Sequence, residues 1–363
     1  MTKKILSFLT GVFFTALNAA SPQVDFNGYL DADVWADLTG KYYVNSELDL
    51  GMSLKFNDKV SAHVYATVNS ANNDNIPGRV PAGIGSSSDR WLDMKFDGFD
   101  ITFSGSIGTF SVGDLVYQYG KFNYYYYKRL SMITPEGFTR GIRYSIGNDL
   151  ITQEVTAGIS DLDETIADVQ GVTNLNLKEN HSLNLSYGVQ NNSMLSFSTG
   201  SKVFAGAGYL GKFGDILTMK ADFGYINFPG EERKNVITLL VEPLLSFGKF
   251  TTAMTAYTMF DPDSANTDLT ASPLFGISDE FFFYMEPGFS FTENFAVGLP
   301  LEIHGSDLEN KDDNAFWAVP TFYIYPTENI QWWIWGQVVV PMAKNIKKSD
   351  LLYGIGSEII VSF

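Results

Sequence analysis

The chain has 363 residues, 41 of them acidic against 24 basic, a formal net charge of −17 and no cysteine. So acidic a chain is a poor partner for nucleic acid, and the absence of thiols excludes disulfides, thiolate metal sites and cysteine catalysis. Aromatics at 15% and hydrophobic residues at 45% are too many for a disordered chain, yet beyond the first twenty residues no stretch approaches the roughly 18 uninterrupted apolar residues of a spanning helix.

At the N-terminus Lys3 and Lys4 precede an apolar run from Ile5 to Leu17 that exits through Ala19 and Ala20. This pattern reads as a secretory leader over 1–20, cleaved after Ala20 or, since Asn18 is not the usual small residue three places before that cut, at Ala19, and the loss of two lysines would take the net charge to −19. Residues 21–363 then form one domain. Its first strand carries Phe26, Gly28, Leu30, Ala32, Val34, Ala36 and Leu38 on one parity, against Asn27, Tyr29, Asp31, Asp33, Trp35 and Asp37 on the other. The next repeats the arrangement, with Leu48, Leu50, Met52, Leu54 and Phe56 against Glu47, Asp49, Gly51, Ser53 and Lys55. A third sets Val60, Ala62, Val64, Ala66 and Val68 against Ser61, His63, Tyr65, Thr67 and Asn69. A wall with one apolar and one polar face suits lipid on one side and water on the other.

The connections fall into two classes. Short turns rich in Gly, Asn and Asp are read at 57–59, 97–100, 147–149, 191–192, 212–215, 247–249, 292–294 and 326–329, and longer polar connections at 70–89, 114–138, 161–180, 261–279, 305–313 and 341–350. Alternating short and long connections predict a transmembrane, antiparallel, up-and-down β-barrel with tight periplasmic turns and long outer loops. Eight turns join sixteen strands, and one strand at each terminus makes eighteen; sixteen is the fallback, because parity is unclear from 193 to 210. Aromatics bracket several turns, as with Phe247 and Phe250 or Phe291 and Phe295, which fits an interfacial girdle. Prolines at 243, 287, 300, 320 and 341 lie near strand centres or ends, where the missing N–H calls for bulges or interrupted pairing.

The last strand, from Leu352 to Phe363, places Tyr353, Ile355, Ile359, Val361 and Phe363 on one face and Gly354, Gly356, Glu358 and Ser362 on the other. A terminal Phe on the apolar face resembles bacterial outer-membrane barrels, and implies that Phe363 is an assembly signal read by the barrel-assembly machinery. The segment Ile107-Gly108-Thr109-Phe110-Ser111-Val112-Gly113-Asp114, followed by the 114–138 connection and Gly141-Ile142-Arg143-Tyr144-Ser145-Ile146, resembles the general porins of Gram-negative bacteria. In these a loop after such a strand folds into the lumen and narrows it. Porins commonly carry Arg after that glycine, where this chain has Asp114.

The resemblance implies a constriction holding Asp114, Lys121, Lys128, Arg129 and Glu136, with Arg143 on the adjoining wall. Facing it, by parity, stand Asp31, Asp33, Glu47 and Asp49 on the lumen wall, joined by Glu358 from the last strand. Tyr124, Tyr125, Tyr126 and Tyr127 in the same loop, and Trp333 and Trp335 on a late strand, offer aromatic faces to sugars, as in the eighteen-stranded sugar porins; packing of the loop on the wall is the alternative.

The expected function is an outer-membrane porin for passive diffusion of small hydrophilic solutes, integral to the cell outer membrane, with lipid and lipopolysaccharide around it. A homotrimer is implied by the resemblance. The alternative is a structural or adhesive barrel that binds extracellular polymer or partner proteins. No cofactor or metal is expected. No enzyme is expected either, since His63, His181 and His304 lie on separate strands with no nucleophile or metal-ligand spacing around them.

Overall fold

The computed structural model describes residues 22–38, 40, 42–73, 91–118, 136–161, 166–191, 201–228, 234–260, 281–305, 314–342 and 351–363. The alternating segments form β1 (Gln23–Asp37), β2 (Tyr42–Asn57), β3 (Val60–Asn73), β4 (Trp91–Gly105), β5 (Gly108–Gln118), β6 (Glu136–Gly147), β7 (Ile151–Asp161), β8 (Ile166–Lys178), β9 (His181–Asn191) and β10 (Ser201–Phe213). They continue as β11 (Leu217–Phe228), β12 (Lys234–Phe247), β13 (Phe250–Phe260), β14 (Phe281–Thr292), β15 (Phe295–Gly298), β16 (Leu301–Gly305), β17 (Asn314–Ala318), β18 (Thr321–Thr327), β19 (Ile330–Pro341) and β20 (Leu352–Ser362).

Each pairs antiparallel with its neighbours, and β20 pairs with β1 from Tyr29↔Ser362 to Asp37↔Gly354, which closes the sheet. Closure leaves the sheet no unpaired edge strand, the condition for a sheet in lipid. β15 and β16 both pair along β14, so they are one wall strand interrupted at Leu299-Pro300. β17 and β18 both pair along β19 and are interrupted at Val319-Pro320. Among the described residues the twenty segments are therefore eighteen wall strands in an all-β, up-and-down barrel.

The prolines explain the interruptions. Leu299 N–H donates to the Pro287 carbonyl at 3.0 Å, Val319 N–H to Pro300 at 2.8 Å and Gly336 N–H to Pro320 at 3.0 Å. The carbonyls of these prolines stay in the ladder while their missing N–H groups open it, so the breaks line up across β14–β19 as a seam.

Tight turns join the strands at 58–59, 106–107, 148–150, 179–180, 214–216, 248–249, 293–294 and 328–329. Gly214 and Gly248 occupy the left-handed region there, with φ of 60° and 61°. Two of the expected turns are corrected. Residues 97–100 lie inside β4 and form a β-bulge: Tyr65 pairs with Gly98 and Ala66 with Phe96, leaving Asp97 extra. The turn itself comes later, at Ser106-Ile107. Of residues 191–192, Asn191 ends β9 at the opposite end of the wall and residue 192 lies outside the described residues; the turn is at Glu179-Asn180. With it goes the long connection read over 161–180, most of which is the strand β8.

The outward row is apolar. Phe26, Leu30, Val34, Met94, Phe96, Ile142, Val169, Leu239, Ile355 and Ile359 are all exposed there, as lipid contact requires. Near the turns, Phe250, Phe289, Phe291, Phe295 and Phe322 make an unbroken series of ring contacts with centroids 4.7, 4.8, 5.5 and 6.2 Å apart. That series is an aromatic girdle at one interface. Phe363 lies at the same level on β1: its N–H donates to the Gly28 carbonyl at 3.1 Å and its carbonyl accepts from Gly28 at 3.0 Å.

Candidate functional site: the inner wall

Strict alternation carries the other parity to the barrel interior. On β1 and β2 this row registers Tyr29 with Asp49, Asp31 with Glu47 and Asp33 with Asn45. Across the closure, Asp33 registers with Glu358 and Trp35 with Gly356, and β19 adds Trp333 beside Glu358 and Trp335 beside Gly356. The expected wall residues Asp31, Asp33, Glu47, Asp49, Trp333, Trp335 and Glu358 thus share one contiguous inner surface. Glycine at 354 and 356 makes room for the indoles, since a Cβ would lie 2.5 Å from Trp35 Nε1 at the first position and 2.3 Å from the Trp335 ring at the second.

Neutral donors hold several of these carboxylates. The Tyr29 hydroxyl donates to Glu47 Oε1 at 2.8 Å. Thr67 Oγ1 lies 2.6 Å from both Asp49 Oδ1 and Asp97 Oδ2, and its single proton serves one of them at a time. His63 Nδ1 sits 3.0 Å from Asp100 Oδ1. Asp97 and Asp100 were missed from sequence as wall residues because their Asp-Gly composition imitates a turn; the bulge turns both toward the interior. Further round, Arg143 faces inward, 3.3 Å from Glu154 Oε1, and donates to Thr156 Oγ1 at 3.2 Å.

Burial of the inner row is uneven. On β6–β12, Thr139, Thr156, Gln170, Val236, Thr238 and Leu240 are fully buried, and Gln170 donates to Thr139 Oγ1, which in turn donates to Asp168. On β19, β20 and β1–β3, by contrast, Asp31, Asp33, Glu47, Asp49, Thr67, Trp333, Trp335 and Glu358 are only half-buried.

Lys121, Tyr124, Tyr125, Tyr126, Tyr127, Lys128 and Arg129 lie outside the described residues. The connection expected over 114–138 is shorter at both ends: Asp114 belongs to β5 and Glu136 opens β6, the two strands pairing through to Gln118↔Glu136. Asp114 is a wall residue for a specific reason. Its pair Asp114↔Arg140 follows Val112↔Ile142 on the outward row, and pairing between β4 and β5 stops at Asp100↔Gly113 beside the bulge. There the buried Asp114 carboxylate spans the gap, accepting from Phe99 N–H at 3.2 Å and from Arg140 Nε at 2.6 Å.

No family model matches the sequence, and no curated protein matches it. Solved structures do. OccK3 (OpdO) of Pseudomonas aeruginosa is 11% identical with a TM-score of 0.59, over 97% of this chain and 98% of that one. OpdK of Pseudomonas aeruginosa, solved with vanillate, is 8% identical with a TM-score of 0.58, over 94% and 98%. OmpT, an outer membrane protein of Vibrio cholerae, is 10% identical with a TM-score of 0.52, over 96% and 99%. At these identities the likeness is one of fold. A closed antiparallel barrel with an apolar belt, sharing its architecture with these proteins, is a porin-like barrel integral to the outer membrane.

Proposed function

We propose that the chain is a passive channel for small hydrophilic solutes. The supporting observation is the half-buried polar surface of β19, β20 and β1–β3, set behind an apolar outward row: a wall of carboxylates, amides and indoles is the lining a hydrated passage requires. Water and polar solutes exchange hydrogen bonds with such a wall at little cost, and the faces of Trp333 and Trp335 suit sugar rings. Phe363, paired to Gly28 beside the girdle, fits the role of assembly signal.

The test is swelling of proteoliposomes in isosmotic neutral sugars of increasing size. Swelling that is fast for a pentose and falls steeply toward a trisaccharide supports the channel. Impermeability of correctly folded barrels to the pentose would overturn it and favour the structural or adhesive reading.

A further inference from the structure

The two arcs of the inner wall differ in charge as well as in burial. The half-buried arc carries Asp31, Asp33, Glu47, Asp49 and Glu358, with Asp97 on the adjoining strand. Among the described residues, the basic side chains on the inner rows of β19, β20 and β1–β4 are Lys55 and Lys95. Each is held in an ion pair, Lys55 with Asp58 at 2.9 Å and Lys95 with Asp97 at 3.2 Å. The hydroxyls of Tyr29 and Thr67 hold Glu47 and Asp49 without neutralising them, because a neutral donor fixes a carboxylate and leaves its charge in place. On the opposite arc the inner row carries both signs: Arg143 lies 3.3 Å from Glu154, Lys220 registers with Glu242, and Asp168 and Asp222 are buried there.

We infer that the half-buried acidic wall of β19, β20 and β1–β3 makes the passage cation-preferring, with Glu47 and Asp49 as specificity-determining residues. The inference rests on the channel reading. Fixed charge of one sign beside a narrow path with low-dielectric walls concentrates counter-ions and depletes co-ions. The solutes favoured are small organic cations bearing an ammonium or guanidinium group, and carboxylates of equal size are disfavoured.

The experiment is the reversal potential of single channels in a KCl gradient, with the unaltered protein and with the E47Q/D49N variant. A several-fold preference for potassium over chloride is expected, reduced in the variant while openings persist. Should the variant fail to fold, swelling assays on the unaltered protein decide: a small amine should enter several-fold faster than a carboxylate of matched size. The accessibility of the wall is read separately by thiol-reactive cationic reagents, which should alter the current of Asn45→Cys and leave that of Thr238→Cys, at a fully buried position, unchanged. Openings with no ion preference, or with preference for chloride, would overturn the inference and leave the channel intact. Absence of any current would overturn both.

Discussion

Replacing Asp114 by Ala separates a wall residue from a constriction residue. The carboxylate is 5% exposed and accepts from Phe99 N–H and Arg140 Nε. Its loss leaves a wall N–H without an acceptor, at a cost of about 1–3 kcal/mol. It also leaves the Arg140 guanidinium unpaired on the outward row, where a lone Arg costs about 2–4 kcal/mol at the bilayer midplane and about 0–1 kcal/mol near the interfaces. Arg140 lies four residues inside the outer end of β6, between those limits, so D114A should destabilise by about 3 kcal/mol in total. R140L should cost a similar amount by stranding the carboxylate. In D114A/R140L only the Phe99 donor remains unmatched, and the double variant should lie about 1 kcal/mol below the parent. Reversible urea unfolding in lipid vesicles, extrapolated linearly, measures all four, and single-channel conductance should be the same throughout. Additive single effects would refute the paired geometry, and a changed conductance would return Asp114 to the pore.

Three further outcomes follow from the wall. Deleting Phe363 removes an outward aromatic that is 54% exposed and both hydrogen bonds to Gly28, so the yield of heat-modifiable barrel should fall while channels that do insert conduct normally; normal yield would remove Phe363 from assembly. Gly98→Val places a Cβ 2.5 Å from Asp114 Cβ at a φ of 141°. Backbone strain alone should cost about 1–3 kcal/mol, and an unchanged urea midpoint would refute the bulge. Glu286 accepts from the Tyr323 hydroxyl at 2.5 Å and from the Tyr284 hydroxyl. E286A should therefore cost about 2 kcal/mol through the loss of two hydroxyl–carboxylate hydrogen bonds, whereas Y323F should cost less, because it removes only one of them.

Parity made most of the barrel legible. Lipid on one side and water on the other enforce period two over long strands, so β1, β2, β3 and β20 announce both their faces and their fate in the sequence. What was misread has a common physical source. A bulge and a turn both need Gly and Asx, so Asp97-Gly98 imitates a hairpin, while the real turn at Ser106-Ile107 lacks either residue at its centre. β8 was lost because its outward row includes Ala167, Gly171 and Thr173, small or polar residues that flatten the alternation on which strand detection depends. Because each misplaced turn replaced one real turn, the strand number was unaffected. Asp31, Asp33, Glu47, Asp49 and Glu358 could be placed on one face from sequence, but their adjacency across the closure required the register of β20 on β1. The uneven burial of the inner wall left no trace in any single strand.

The central claim is that a polar passage crosses the closed barrel. Single-channel recording of the purified, heat-modifiable protein in a planar bilayer tests it most directly. Stable openings with a linear current–voltage relation at low voltage are the predicted result. A folded barrel that inserts and passes no current would contradict the account.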